Sequence, residues 1–230
     1  MKMSRRGNIG KFIVIEGIDG SGKGSQAELL RDRLKKEGHA VDKITFPNYK
    51  GNFFGKEIGD YLNGSFGADV HPKLASLLYA LDRYESLSSI KGILNNGESL
   101  ISDRYVSSNI AHQSIKLPPE ERDSFIKWLH KVEFEILGLP KPDLTIFLDL
   151  TPDIAYELIA KKAKRDYTDK VRDIHEADPN HLRLAYEAYS KQASLNPIGW
   201  TKVKCVDTDG LRSIEDISDD ILRVVKKILK

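Results

Sequence analysis

Ten consecutive residues carry the densest chemistry in the chain: Gly17-Ile18-Asp19-Gly20-Ser21-Gly22-Lys23-Gly24-Ser25-Gln26. Their spacing is the Gly-x-x-x-x-Gly-Lys frame of a P-loop. Glycines let backbone N–H groups turn inward around phosphate oxygens, and the helix that follows adds positive potential at its N-terminus. Lys23 brings a point charge toward the β- and γ-phosphates of a nucleotide. Gly17, Asp19, Gly20, Ser21, Gly22, Lys23, Gly24 and Ser25 are therefore the expected ATP-contacting set. Gly24 stands directly after the lysine, so the hydroxyl arrives one place later, at Ser25, and the expectation is that Ser25 and waters complete a magnesium shell. A second charged pair, Asp103-Arg104, leaves an apolar segment. An aspartate there suits magnesium, usually through water, and an arginine beside it can bridge donor and acceptor phosphates. A third feature is the basic run holding Lys161, Lys162, Lys164, Arg165, Lys170 and Arg172. Its plain reading is a solvated helix surface.

Placing these groups requires regular elements around them. Five short apolar or β-branched segments, Phe12 to Glu16, Val41 to Phe46, Ser99 to Asp103, Leu144 to Leu150 and Val203 to Asp207, read as buried strands. Helical patterns lie between them. Ala27, Leu30 and Leu34 stop at Gly38, Phe125, Leu129, Val132 and Ile136 stop at Gly138, and Ile214, Ile217, Ile221, Val224 and Ile228 close the chain. Thr151 and Pro152 read as the N-cap and first residue of another helix. Strand and helix alternate throughout, which implies an α/β fold: a three-layer P-loop NTPase arrangement with a five-stranded parallel sheet between helices. Ligands in that architecture bind beyond the carboxyl ends of the strands, where both Gly17–Ser25 and Asp103-Arg104 fall. With no internal repeat and no long linker, residues 1–230 read as one domain.

The chain has 230 residues, 36 Lys+Arg against 34 Asp+Glu for a net charge of +2, and 40% hydrophobic residues. That composition excludes a disordered or fibrous chain. Charges of both signs spread evenly argue against a DNA-coating or membrane-surface protein, so the expected partners are small molecules, with no nucleic acid and no membrane. Cys205 is the only cysteine and cannot form an internal disulfide. The apolar run Phe12 to Ile15 is too short for a signal peptide, and no run approaches the roughly 18 residues of a membrane span. The expectation is a cytoplasmic protein.

With the loop in place, further motifs resemble the thymidylate kinase family from Phe12 to about Asp207. The Lys-Gly-Ser-Gln order itself is similar to the adenylate kinase branch of P-loop kinases. The opening Phe-Ile-Val-Ile-Glu-Gly-Ile-Asp-Gly-Ser-Gly-Lys matches the family's, which implies that Asp19 contacts the 3′-hydroxyl of the acceptor nucleotide. Phe46-Pro47-Asn48-Tyr49 matches its Phe-Pro turn, with the tyrosine of a mycobacterial-like group where many members have arginine. Leu78-Tyr79-Ala80-Leu81-Asp82-Arg83 resembles the helix whose aromatic stacks on thymine and whose arginine bonds the base edge. Tyr79 and Arg83 share a face by i, i+4 spacing. The resemblance likewise implies that Ser108-Asn109-Ile110-Ala111-His112-Gln113 reads base and sugar, with Asn109 and Gln113 as hydrogen-bonding candidates. Leu139 to Leu144 is architectural, Val206-Asp207-Thr208 is an adenine-side loop, and Asp173-Ile174-His175-Glu176 is a lid edge that puts Asp173 among substrate contacts. The basic run becomes a lid at about 160–176. Because Gly20 occupies the loop position where some members carry arginine, the lid is expected to supply the transition-state cation, Arg165 first, then Lys162 or Arg172.

The implied function is transfer of the ATP γ-phosphoryl group to dTMP, for dTTP synthesis. The expected catalytic set is Lys23, Asp103, Arg104 and Arg165, with Mg2+ at Ser25 and Asp103. The family also implies a homodimer through the helix after Asp82 or the one from Glu120 to Leu137. The alternatives are another pyrimidine nucleotide or nucleoside kinase, acting on UMP, CMP, dUMP or thymidine with Glu16 or Asp103 as base, and a non-catalytic nucleotide-dependent switch. The Asn-Lys-x-Asp base-reading motif of GTPase switches is not in the sequence.

Overall fold

A computed structural model of the chain describes residues 9–67, 69–161 and 179–229. In chain order the elements are β1 (Phe12–Glu16), α1 (Lys23–Lys36), β2 (Val41–Thr45), α2 (Phe53–Leu62), α3 (Pro72–Glu85), α4 (Leu87–Asn95), β3 (Ser99–Asp103), α5 (Val106–Ser114) and α6 (Pro119–His130), the last running into a π-helical segment at Lys131–Ile136. There follow β4 (Leu144–Asp149), α7 (Pro152–Ala160), α8 (Pro179–Leu195), β5 (Trp200–Lys204), the two-residue strands β6 (Val206–Asp207) and β7 (Gly210–Leu211), and α9 (Ile214–Val225).

The sheet runs β2-β3-β1-β4-β5, every pairing parallel, with Ile13 registered against both Ile101 and Leu144. Strand order reverses at β1, so the crevice of this topology opens beyond the end of β1, between β3 and β4. β1 is buried at all five residues because it is central and covered on both faces. The two-residue period of a strand splits its side chains. Ile13 and Ile15 join Ala27, Leu30 and Leu34 of α1, whereas Phe12 and Val14 join Phe46, Leu100, Tyr105 and Leu139. Helices on both faces thereby hold the carboxyl end of β1 from two sides.

Four expectations need correction. The last strand of the sheet begins at Trp200 and ends at Lys204, while Val206–Asp207 pairs with Gly210–Leu211 in a separate hairpin. β5 is an edge strand and shows solvent on one face, so Lys202 and Lys204 interrupt the apolar run that marks a fully covered strand. The stripe Phe125, Leu129, Val132, Ile136 fails after Leu129: the next buried residue is Glu133, and Ile136 is 67% exposed. Thr151 precedes α7 with Pro152 at the first position, but its side chain makes no capping bond. β2 and β4 each stop one residue short of the expected segment.

Candidate active site

The loop between β1 and α1 is built from backbone conformations that glycine adopts freely. Gly22 sits at φ 82° as the N-cap of α1. Gly20 combines φ 84° with a close approach, since an added Cβ would lie 2.7 Å from the Ala155 carbonyl oxygen. Lys23, the first residue of α1, is buried and donates from Nζ to the Ile18 carbonyl at 2.8 Å, with Asp19 Oδ1 at 3.9 Å. Burial, reinforced by the nearby Arg104 charge, lowers its pKa to about 8, against the pull of Asp19 and Asp103. Positive charge held at this depth is the counterpart of a polyphosphate.

Directly across the crevice, β3 ends in Asp103 and Arg104 follows with φ 68°. A non-glycine residue there needs support from both sides. It has it, because the Arg104 N–H donates to the Ile15 carbonyl at 3.0 Å and its carbonyl accepts from Ser102 Oγ at 2.6 Å. The guanidinium is thereby aimed at the loop: Nη2 pairs with Asp19 Oδ1, and Nη1 donates to Ser108 Oγ at 3.3 Å and lies 3.5 Å from His112 Nε2. Burial opposes its charge, but Asp19 and then other anions outweigh that, raising its pKa well above the usual arginine value. His112 in turn stands 3.0 Å from His181 through Nδ1 and Nε2.

Glu16, the last residue of β1, is fully buried and already committed. Its Oε1 accepts from the Tyr105 and Ser108 N–H groups at 3.0 Å, and its Oε2 accepts from Ser108 Oγ at 2.6 Å and Tyr189 OH at 3.0 Å. Burial, the largest influence, raises its pKa despite these bonds. Its job is to pin the start of α5 to β1, which leaves no lone pair for proton abstraction.

Other polar atoms remain unmatched. Among the described residues, the buried atoms Ser21 Oγ, Gln26 Oε1, Asp103 Oδ1, Asn109 Oδ1 and Gln113 Oε1 have no hydrogen-bond partner, and all five residues line one cavity of about 610 Å³. Such atoms cost free energy unless a ligand satisfies them. A Cβ on Gly24 would lie 3.1 Å from Asp103 Oδ2, so glycine at that place keeps the aspartate beside the loop.

The same cavity takes in Phe46, Tyr49, Tyr79, Arg83, Asn109 and Gln113 together with Arg104 and the phosphate loop. Asp82 is buried rather than in the cavity wall: its carboxylate accepts from the Asn48 N–H at 3.1 Å and from Asn52 Nδ2 at 2.8 Å, holding the turn that carries Phe46 and Tyr49. The Phe46–Pro47 peptide in that turn is cis. At the far end the wall is Cys205, Leu211, Arg212, Ile214 and Ile217, a surface sequence reasoning caught only as the loop after the last strand. Of the expected catalytic, nucleotide-contacting and metal-binding residues within the described part, Gly17 is not in the wall, and neither are Val206, Asp207 and Thr208 of the expected adenine-side loop. Arg165, Lys162, Arg172 and Asp173, with all of the expected lid after Lys161, lie outside the described residues. Sequence reasoning missed the roles of Glu16, Asp82 and Glu133, whose partners stand too far away in sequence to leave a spacing.

The profile of the family described as Thymidylate kinase matches residues 15–194. The chain belongs to the thymidylate kinase family. It is 31% identical over 191 residues to the thymidylate kinase of Mycobacterium tuberculosis (strain H37Rv), covering 82% of this chain and 87% of that one. It is 30% identical over 212 residues to the thymidylate kinase of Homo sapiens, covering 92% and 88%. A solved structure of thymidylate kinase from Candida albicans superposes with a TM-score of 0.74 at 26% identity, over 95% of this chain and 92% of that one. The family match therefore spans the phosphate loop, the Asp103-Arg104 turn and the residues on the acceptor side.

Proposed function

We propose that this chain transfers the γ-phosphoryl group of ATP to the 5′-phosphate of dTMP, giving ADP and dTDP for dTTP synthesis. The carrying observation is that one cavity joins the phosphate loop to Tyr79, Arg83, Asn109 and Gln113, with Arg104 in its wall bonded to Asp19 of the loop and Ser108 of α5. In this reaction an acceptor phosphate oxygen forms the new bond to the γ-phosphorus as the bond to the β–γ bridging oxygen breaks. The second pKa of a phosphate monoester is about 6, so at neutral pH the nucleophile is an anion and needs no general base. Glu16 fits that account and counts against a nucleoside kinase, because all its hydrogen-bonding capacity is spent on α5 and Tyr189.

The chain's own residues position and neutralise. Lys23 and the loop N–H groups hold the donor phosphates, Arg104 spans donor and acceptor, Asp19 orients Arg104, and Tyr79 with Tyr49 and Phe46 forms the acceptor wall. Asp103 and Ser25, beside Ser21, suit Mg2+: Asp103 Oδ1 is buried without a partner, and one carboxylate plus phosphates and water is the usual magnesium environment. When bound, magnesium neutralises charge on the β- and γ-phosphates. A lid at about 160–176, with Arg165 foremost and Asp173 at its edge, completes the assignment as a proposal on residues that, after Lys161, lie outside the described part.

We further propose that the chain acts as one unit and as a homodimer in the cytoplasm, on small nucleotides rather than nucleic acid. Among the described residues no helix is long and apolar enough to cross a membrane. Sedimentation velocity tests the dimer. The function itself is tested by ADP release from magnesium ATP with dTMP, thymidine, dUMP, UMP and CMP in separate reactions. The expected result is fastest turnover on dTMP and little on thymidine; fastest turnover on thymidine would overturn the assignment.

A further inference from the structure

The π-helical segment after α6 sets a carboxylate where an apolar side chain would be expected. Phe125, Leu129 and Glu133 follow one another at i+4 steps and all three are buried, Glu133 completely. π-helical turns inside helices recur at functional sites because the extra residue re-aims a side chain. Here the aim is toward the back of the acceptor side of the cavity. Glu133 Oε2 accepts from Arg83 Nε at 2.7 Å, and Oε1 accepts from Arg83 Nη2 at 2.6 Å and from Asn109 Nδ2 at 3.0 Å. Asn109 Nδ2 gives its second hydrogen to the Ser76 carbonyl at 3.1 Å.

That arrangement removes an ambiguity. A carboxamide can be turned end for end, but turning Asn109 would point its oxygen at two groups that only accept, Glu133 and the Ser76 carbonyl. Both hydrogens are thus engaged, and the atom left over is Oδ1, which is buried and unpartnered on a residue lining the cavity. Arg83 is gripped through Nε and Nη2, which leaves Nη1 outside the pair. The pocket edge therefore presents a fixed donor next to a fixed acceptor. A thymine offers the complement, an O4 acceptor beside an N3–H donor, whereas a cytosine offers the reverse, an N4 donor beside an N3 acceptor.

We infer that Glu133 is a positioning residue that sets the donor–acceptor polarity of the base-reading edge, so that a keto pyrimidine is accepted and an amino pyrimidine refused. The inference rests on Arg83 and Asn109 as readers of the acceptor base, and its test separates the two. The probes are dTMP and 5-methyl-dCMP, which differ only along that edge. Wild-type enzyme is expected to favour dTMP by at least 10³ in kcat/KM, since a site that hydrogen-bonds its substrate rejects a mismatched analogue by about 10⁴ to 10⁵. Glu133→Gln places an amide N–H2 where a carboxylate oxygen stood and lets Asn109 turn. The ratio is then expected to fall at least tenfold, with the loss for dTMP in KM more than in kcat.

Equal loss on both acceptors, with the ratio within threefold of wild type, would make Glu133 merely structural and overturn the inference. A wild-type ratio near one would instead overturn the role of Arg83 and Asn109. Glu133→Asp, which keeps the charge and withdraws it by one methylene, carries the same comparison if Glu133→Gln does not fold. A measurement on the wild type needs no variant: with 15N-asparagine labelling, the Asn109 carboxamide hydrogens are expected to exchange slowly before any nucleotide is added. Exchange at the solvent rate would also overturn the inference.

Discussion

On the proposed function Arg104 concentrates the chemistry of the site in one side chain, held by its own strained backbone, by Asp19 and by Ser108. Arg104→Ala is expected to lower kcat by on the order of 10³ while the fold persists, since a transition-state arginine is worth that much or more. Steady-state turnover with dTMP, alongside circular dichroism, checks it. Lys23 makes a prediction about stability. Its folded pKa of about 8 lies below the ordinary 10.5, so between those values the unfolded chain holds a proton that the folded chain has released. The Lys23 contribution to the stability of the ligand-free protein should therefore rise with pH across that window, opposed above about pH 9 by the buried Cys205 thiol, whose pKa is pushed up to about 12, and below pH 8 the buried Lys23 charge costs on the order of 3 kcal/mol. Lys23→Met is expected to stabilise the ligand-free protein at pH 7, to remove that rise in a comparison of urea midpoints, and to abolish turnover. Lys23 was legible because phosphate binding demands glycine, lysine and a helix start in a fixed order, and Arg104 because a charged pair leaves the apolar segment that ends at Asp103. Arg83 was singled out in the sequence through the family resemblance and lines the cavity, but its partner Glu133 was not, because 50 residues separate them and an isolated glutamate in a helical pattern reads as surface.

At the scale of elements, the turn from Phe46 to Tyr49 is positioned by α3. Asp82 reaches across to the Asn48 N–H and to Asn52. Asp82→Ala would leave those donors unmatched at a cost of about 1–3 kcal/mol. KM for dTMP is expected to rise roughly tenfold with kcat within twofold of wild type, since the loosened turn carries acceptor contacts rather than the transferring group; a fall in kcat with KM unchanged would contradict this. The α1 face buried against β1 follows ordinary core energetics, and Leu30→Ala should cost about 2–5 kcal/mol in urea unfolding. β1, β3 and β4 were readable as apolar runs because both sheet faces are covered there, whereas β2, an edge strand with exposed Asp42 and Thr45, was readable from Val41 and Ile44. β5 was displaced in the reading because an edge strand tolerates Lys202 and Lys204, and the π-helical segment was invisible because Val132 and Ile136 keep helical spacing while the backbone does not.

Across the whole molecule, the reversal of strand order at β1 brings residues from the loop after β1, from α1, α3, β3 and α5, and from the chain's end to one 610 Å³ cavity, although they run from Asp19 to Ile217. Strand–helix alternation made that gathering point predictable. The amide orientation of Asn109 and the commitment of Glu16 were not, because both depend on hydrogen bonds between distant segments. The proposed function requires that this cavity direct a phosphoryl group to a nucleotide phosphate and away from water. 31P NMR of the purified protein with magnesium ATP, with and without dTMP, tests it most directly. With dTMP, the ADP and dTDP signals should grow in equal amounts, and without it ATP should persist. Release of inorganic phosphate at the same rate whether or not dTMP is present would contradict the account.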